Sequence, residues 1–401
     1  MFLRSSVTVS AFLVWASGVA AGNVTNYANA FVDPKFILNK SAWNKNSTAA
    51  QAAIVGAAQT FFTEGPWAVT NKTILPPSNN THDYLSYAPY YWPDCSNVHN
   101  TTQLTQQEIN NECKFVDRDG QFVPDQHSVD NVGAFYLMGD AIFYSAMAWA
   151  ITGDGSYAAN IDHWIDTWFV NNATAMTPNL NYAQLVRGVG MNIGTHTGVL
   201  DLKGLAKIAS AVLTLRQGNV AEWTQATDNG FKAWLTEYLP WLRNNTLGVQ
   251  ERETPNNHGS FYYNQEAAVH LILGDEASAK ATLEEYFNGI YQKQIAANGE
   301  QPMEASRTHP IHYRAYNLAG VITNAALAQY VGIDAWNITT SLNGTIQKAT
   351  DWAMAQSPIP SNELGAVSEI NQIVACVANI YGDPTGKYKQ WLSSWVSSCS
   401  E

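Results

Sequence analysis

Three segments of the chain gather residue types that can move protons or hold an anion. The first is Glu251-Arg252-Glu253-Thr254-Pro255-Asn256-Asn257-His258-Gly259-Ser260, which leads into an apolar stretch. An imidazole between amides and a glycine can take or give a proton near neutral pH, and Gly259 lets a ligand approach the backbone. Asn257 can donate to a carboxylate or carbonyl oxygen, and a helix N-terminus adds partial positive charge. The same residues also suit a helix cap, with His258 bonded for structure. The second segment runs from Glu304 to Asn317 and packs Arg307, His309, His312, Tyr313, Arg314 and Tyr316 into a short stretch. An arginine ahead of a helix that carries a tyrosine suits an anionic ligand and a proton donor. A salt-bridged surface, with Glu304 pairing Arg307, explains the charges but not the density of His and Tyr. The third segment, Asp83 to Asp94, holds Tyr84, Tyr87, Tyr90, Tyr91 and Trp92. These aromatics can stack on sugar rings if exposed, or fold the loop onto the core.

The elements that must position these groups are mostly helical by spacing. Helices are expected at Thr48–Thr63, Val129–Ile151, Tyr157–Val170, Asp201–Arg216, Ala221–Leu239, Phe261–Leu273, Ala277–Gln292, Ile311–Tyr330, Thr345–Ala355, Glu369–Tyr381 and Lys387–Val396. The fifth is expected to stop near Pro240. Short Gly/Asp turns join many of them, so helix pairs repeat along the chain. That pattern predicts an all-α protein, an α/α toroid or incomplete helical barrel with long ordered loops. Residues 65–128 break the pattern and read as a long ordered loop. Nothing resembles a linker between domains, so 22–401 is read as a single domain.

Composition narrows the function classes. The chain has 401 residues, 21 Lys plus Arg and 33 Asp plus Glu, for a net charge of −12, and only 13% of residues are charged. Eight arginines against that acidic excess leave no footprint for nucleic acid. With 14 Trp and 19 Tyr the chain is too aromatic for intrinsic disorder. Residues 1–21 read as a secretory signal peptide: Arg4, an apolar run from Val7 to Trp15, then small residues to Ala20 and Ala21. That run is too short for a membrane anchor. Ten Asn-x-Ser/Thr sequons, at Asn23, Asn39, Asn46, Asn71, Asn79, Asn100, Asn172, Asn244, Asn337 and Asn343, agree with a secreted glycoprotein. Of three pairings open to Cys95, Cys113, Cys376 and Cys399, the local one joins Cys95 to Cys113 and Cys376 to Cys399. Asp125, His127 and Asp130 match no metal-ligand spacing and read as a solvated loop and helix cap. No cofactor is expected, although a structural calcium or magnesium ion stays open.

Taken together, the motifs resemble the alginate-lyase-type superfamily of polysaccharide lyases. Asn257-His258-Gly259 is followed about fifty residues later by Arg307-Thr-x-x-x-His-Tyr313. The Asp83–Asp94 segment and Pro178-Asn179-Leu180-Asn181-Tyr182-Ala183-Gln184 resemble the family in the same order, so the likeness runs from about residue 80 to 330. The branch it looks most similar to is that of the glucuronan and broader polyuronate lyases, in secreted fungal proteins. The resemblance implies a toroid fold and a monomer acting on an acidic polysaccharide. It places Asn257, His258 and Arg307 around a uronate carboxylate, Tyr313 at the C5–O4 edge, and Glu251 in the site seven residues before the histidine. Tyr90, Tyr91 and Trp92 would stack on neighbouring sugars. Gln184 and Arg187 would line a subsite, or else flank a helix.

The chemistry implied is β-elimination. It removes the C5 proton, which is acidified by the adjacent carboxylate, and expels the C4 oxygen. In glucuronate and mannuronate H5 and O4 share a face, so Tyr313 alone can serve as base and acid. In guluronate they lie on opposite faces, and a second group such as His258 is needed. The expectation is therefore a glucuronate or mannuronate preference. Because an acidic protein repels a polyanion, a locally basic cleft is also expected, formed by Arg187, Arg252, Arg307 and Arg314. Two other functions compete. A glycoside hydrolase on an α/α barrel would use two carboxylates from Glu251, Glu253 and Glu304. A non-catalytic carbohydrate-binding protein would need none of the four reactive groups.

Overall fold

The structure, a computed structural model, describes residues 29–43, 47–98, 104–357 and 359–396. The expected signal peptide, the sequons at Asn23, Asn46 and Asn100, and the Cys376 partner Cys399 lie outside the described residues. The described chain is 61% helix and 3% strand, folded as an α/α toroid. Its α-helices are α1 (Pro34–Leu38), α2 (Thr48–Phe61), α3 (Gln106–Glu112), α4 (Asn131–Thr152), α5 (Gly155–Ile165), α6 (Leu205–Gln217), α7 (Gln225–Asn244), α8 (Thr246–Glu253), α9 (Asn257–Leu273), α10 (Glu276–Asn288), α11 (Pro302–Ala305), α12 (Pro310–Tyr330), α13 (Ile346–Met354), α14 (Asn371–Tyr381) and α15 (Lys387–Val396).

Burial sorts these helices into two layers. In α6, 11 of 13 residues are buried, and in α9 15 of 17. Such all-round burial marks inner elements. In α7 only seven of 20 residues are buried, in the stripe Thr227, Asp228, Phe231, Trp234, Leu235, Tyr238 and Leu242. That is the single apolar face of an outer helix. Helices α4, α6, α9 and α12 pack in succession as the inner row, while α2, α5, α7 and α10 cover it from outside. Helix α4 is long and apolar enough to cross a bilayer, but it is a core helix, with an ion pair between its Asp140 and Lys207 of α6 at 2.6 Å.

Local signals set the boundaries. Gly153 ends α4 in the left-handed region at φ 77°, and the next residue, Asp154, caps α5 by accepting from the Ser156 amide. Gly274 and Asp275 repeat the device between α9 and α10. Two expectations fail at specific points. Helix α7 does not stop at Pro240 but runs to Asn244. Pro240 is exposed, so the carbonyl it leaves unbonded one turn back can face water. Helix α9 begins four residues earlier than expected, because the side chain of Asn256 caps it by accepting from the His258 amide. Buried amides then lock the inner row: Asn264 donates to the Gly320 carbonyl and Asn324 to that of Ser260, both at 2.9 Å.

The irregular segment is an ordered arm. Strands β1 (Tyr91–Asp94) and β2 (Lys114–Asp117) form an antiparallel ribbon with Tyr91 opposite Asp117. A Cys95–Cys113 disulfide ties the strands together next to the pairing, as the local choice expected. Tyr84, Leu85 and Tyr87 are buried, so the first half of the aromatic segment is core and only its second half reaches the site.

Candidate active site

Helix α9 presents Asn257 and His258 in its first turn. Asn257 is almost fully buried, and both its amide and its Nδ2 donate to Glu304, each at 2.8 Å. Glu304 therefore pairs with Asn257 and not with Arg307. Burial pushes the Glu304 carboxyl up, against the pull of these donors and of Arg307 and His258. His258 is held through Nδ1 by Glu251 Oε1 at 2.7 Å. The other oxygen of Glu251 holds Nδ1 of His196 at 2.6 Å. Glu251 has no exposed surface, which by itself would raise its carboxyl, but the two imidazoles hold it below the ordinary value. Its bond to His196 raises that imidazole in turn, burial opposing.

The second half of the site comes from the residues ahead of α12 and its first turn. Arg307 donates from Nη2 to the Tyr313 hydroxyl at 2.8 Å, and its guanidinium lies 3.8 Å from the centre of the Tyr313 ring. The same nitrogen donates to Asp119 at 2.7 Å, and Thr308 donates to that carboxylate at 3.0 Å. The Tyr90 and Tyr313 hydroxyls are 3.0 Å apart. Burial keeps the Tyr313 phenol well above its ordinary value, with Tyr90 adding to the effect and Arg307 opposing it. The arm thus closes over the site at two points, Tyr90 and Asp119. Gly120, at φ 76°, lets the arm approach: a Cβ there would run into Thr308 Oγ1.

The remaining expected residues fall as follows. Tyr91 and Trp92 sit half-buried on β1. Trp92 donates to the Gln121 carbonyl at 2.8 Å under the Arg118 guanidinium. Gln184 adopts φ 44° and joins Asp201 at 3.0 Å to Thr197 at 2.7 Å, which fixes the turn that carries His196. Arg187 is buried in a bidentate pair with Asp125, at 2.6 and 2.8 Å, between the rings of Tyr87 and Phe115. That geometry ties the arm to the core. We expect Arg187→Ala to cost about 3 kcal/mol in urea unfolding, because it strands Asp125 and removes the stack. A raised KM at unchanged stability would instead assign Arg187 to a subsite.

The expected excess of positive charge is not found. Arg187, Arg252, Arg307 and Arg314 each meet a carboxylate, those of Asp125, Glu285, Asp119 and Glu300. In a chain where acids outnumber bases, a half-buried guanidinium finds a partner. What remains for an anionic substrate is directional: imidazole and guanidinium N–H groups and the remaining Asn257 hydrogen. Asp130 caps α4, and His127 leans on it at 3.1 Å, so that trio is a cap and a latch. Of the nearby histidines, His309 meets the Gly120 carbonyl and His312 meets Glu369.

Sequence reasoning missed His196, Asp119 and the partner of Glu304. His196 and Asp119 lie outside every motif, and only the fold brings the three contacts together. His196, Glu251 and His258 also offer ligand atoms within 4.8 Å of one another, the two-histidine, one-carboxylate set of a transition-metal site.

Comparison with known proteins now decides the class. The chain matches the Alginate lyase family over residues 68–362. It belongs to that family, and it is a polysaccharide lyase. A search of curated sequences finds no match. Among solved structures, an alginate lyase from Bacteroides ovatus superposes with a TM-score of 0.75 at 24% identity, over 86% of this chain and 89% of that one. Alginate lyase A1-III from Sphingomonas species A1 gives 0.45 at 16% identity, over 80% and 79%. A variant of A1-III complexed with tetrasaccharide gives 0.48 at 14%, over 80% and 86%. The hydrolase alternative also loses its carboxylates to local partners. Glu251 is held by two imidazoles, Glu304 by Asn257, and Glu253 is exposed at the end of α8.

Proposed function

We propose that this lyase cleaves a β-1,4-linked polyuronate, glucuronan or mannuronate-type alginate, by β-elimination outside the cell. The observation that carries the reading is the unbroken line Asp119–Arg307–Tyr313–Tyr90 beside Asn257 and His258. A uronate carboxylate would sit against the N–H groups of Asn257, His258 and Arg307, which stabilise the enolate-like intermediate. The C5–H and C4–O4 bonds break and a C4=C5 double bond forms. Tyr313, as a phenolate stabilised by Arg307, takes the C5 proton and passes it to O4 as the C4–O4 bond breaks, which returns the phenolate. Tyr90, Tyr91 and Trp92 would stack on the flanking sugars, and Gln184 would border a subsite. No step calls for a metal.

One observation favours a second reading. Burial keeps Tyr313 protonated at rest, which suits it as the acid, and His258 would then take H5 from the other face. Substrate stereochemistry separates the two. With Tyr313 in both roles, glucuronan or polymannuronate is cleaved fastest, as followed by ultraviolet absorbance of the unsaturated product. Faster cleavage of polyguluronate would assign the base to His258. A panel without any unsaturated product would overturn the function.

Secretion as a glycoprotein is part of the proposal. All seven sequon asparagines among the described residues, Asn39, Asn71, Asn79, Asn172, Asn244, Asn337 and Asn343, are exposed. Enzymatic deglycosylation of protein from its native host should lower its apparent mass, and an unchanged mass would sink this part.

A further inference from the structure

We propose that His196 is a positioning residue of the elimination reaction, acting through Glu251 on His258. The inference rests on the lyase reading above, but its geometry stands by itself. One fully buried carboxylate is shared by two imidazoles, at 2.6 Å to His196 and 2.7 Å to His258. Each contact uses Nδ1, so both rings have their Nε2 left for other partners. The ring centres are 6.1 Å apart and tilted by 56°.

A buried carboxylate with two such donors fixes both rings. If His258 alone faced Glu251, one oxygen of a fully buried carboxylate would lack its imidazole donor. His196 takes up the second oxygen of Glu251, so the carboxylate is held from both sides and the His258 ring is fixed through Nδ1 with its Nε2 left to act. The surroundings support a dedicated arrangement. His196 stands in a tight turn, His196–Leu202, held by the Gln184 bridge to Thr197 and Asp201. The other charged or titratable neighbours are Glu304 beside His258, Tyr316 of α12 facing Glu251, and Asp201 and Lys203 on or just after the turn itself. Among the hydrogen bonds of the described residues, none joins these groups to either imidazole.

The test compares His196→Ala and His196→Asn with wild type on the best homopolymer. The alanine variant should lower kcat by about tenfold or more, part of the ~10²–10⁴ that a positioned proton-transfer group supplies, with KM little changed. The limb of the pH profile that reports the shared proton should move to higher pH, since Glu251 then draws on His258 alone. The asparagine variant, whose Nδ2 replaces Nδ1 as donor, should recover kcat but not the wild-type pH limb. Unchanged kcat and pH profile in a folded alanine variant would overturn the proposal. So would loss of wild-type activity in a chelator with recovery on adding zinc, which would make the cluster a metal centre. Imidazole NMR of the wild-type protein needs neither activity nor a variant. A hydrogen-bonded Nδ1 proton signal is expected for both His196 and His258, and its absence for His196 overturns the proposal even where no polymer is cleaved.

Discussion

Tyr313→Phe should lower kcat on the preferred polyuronate by about 10³-fold or more, with KM within a few-fold of wild type. The ring stays, so its packing and the Arg307 stack at 3.8 Å survive. What goes is the one hydroxyl that touches both the Arg307 guanidinium and Tyr90. A positioned acid or base supplies ~10²–10⁴ in rate, and in the syn mechanism this group serves as both. The readout is single-polymer kinetics by ultraviolet absorbance, with the melting temperature as control. The phenol leaves a hydrogen-bonded pair, but Tyr90 keeps its opening to the cleft, so the fold should lose little. A variant retaining more than about a tenth of wild-type kcat would remove Tyr313 from the chemistry.

Arg307→Ala should be nearly as severe, with kcat/KM down by about 10²–10³-fold, because it removes a donor placed where negative charge develops. Its effect should be broader than that of Tyr313→Phe. Asp119 and Thr308 meet around the same guanidinium, so the arm loses an anchor and KM should rise along with the fall in kcat. The companion Asp119→Asn separates the two effects. It keeps the arginine and weakens the anchor, so it should raise KM more than it lowers kcat. If Arg307→Ala altered KM alone, the arginine would be a binding residue and carboxylate stabilisation would rest on Asn257 and His258.

The four candidate positions stood out in the sequence through the spacing that resembles the family, and three of them sit where the structure begins an element. Asn256 caps α9 and exposes Asn257 and His258 on its first turn. Pro310, three residues after Arg307, opens α12 and places Tyr313 in its first turn, six residues after the arginine. The inner helices were legible as apolar runs, though α9 is buried on so many sides that its start lacked the usual contrast between faces. The partners were not legible. Asp119 lies 188 residues from Arg307 and His196 55 residues from Glu251. Such contacts arise only when the toroid closes and the arm folds across it. For the same reason a cluster of arginines in sequence predicted local positive charge, whereas in space each guanidinium found its own carboxylate. Pro240 misled in another way: it lies on the exposed side of α7 near its end, where the carbonyl it strands can turn to water.

The arm and the helices below it answer to different constraints. His258 and Asn257 stand on a helix with 15 of 17 residues inside, so a change there is felt through the whole core. Among the described residues, the arm with its disulfide-tied ribbon meets Arg307, His309 and Tyr313 at its rim, through Tyr90 and the Asp119–Gly120 turn. A lineage can therefore remodel the outward faces of the ribbon, lengthen it, or recolour its aromatics without disturbing the reacting groups. Polymer preference can be retuned in this segment without touching the buried helix that carries Asn257 and His258.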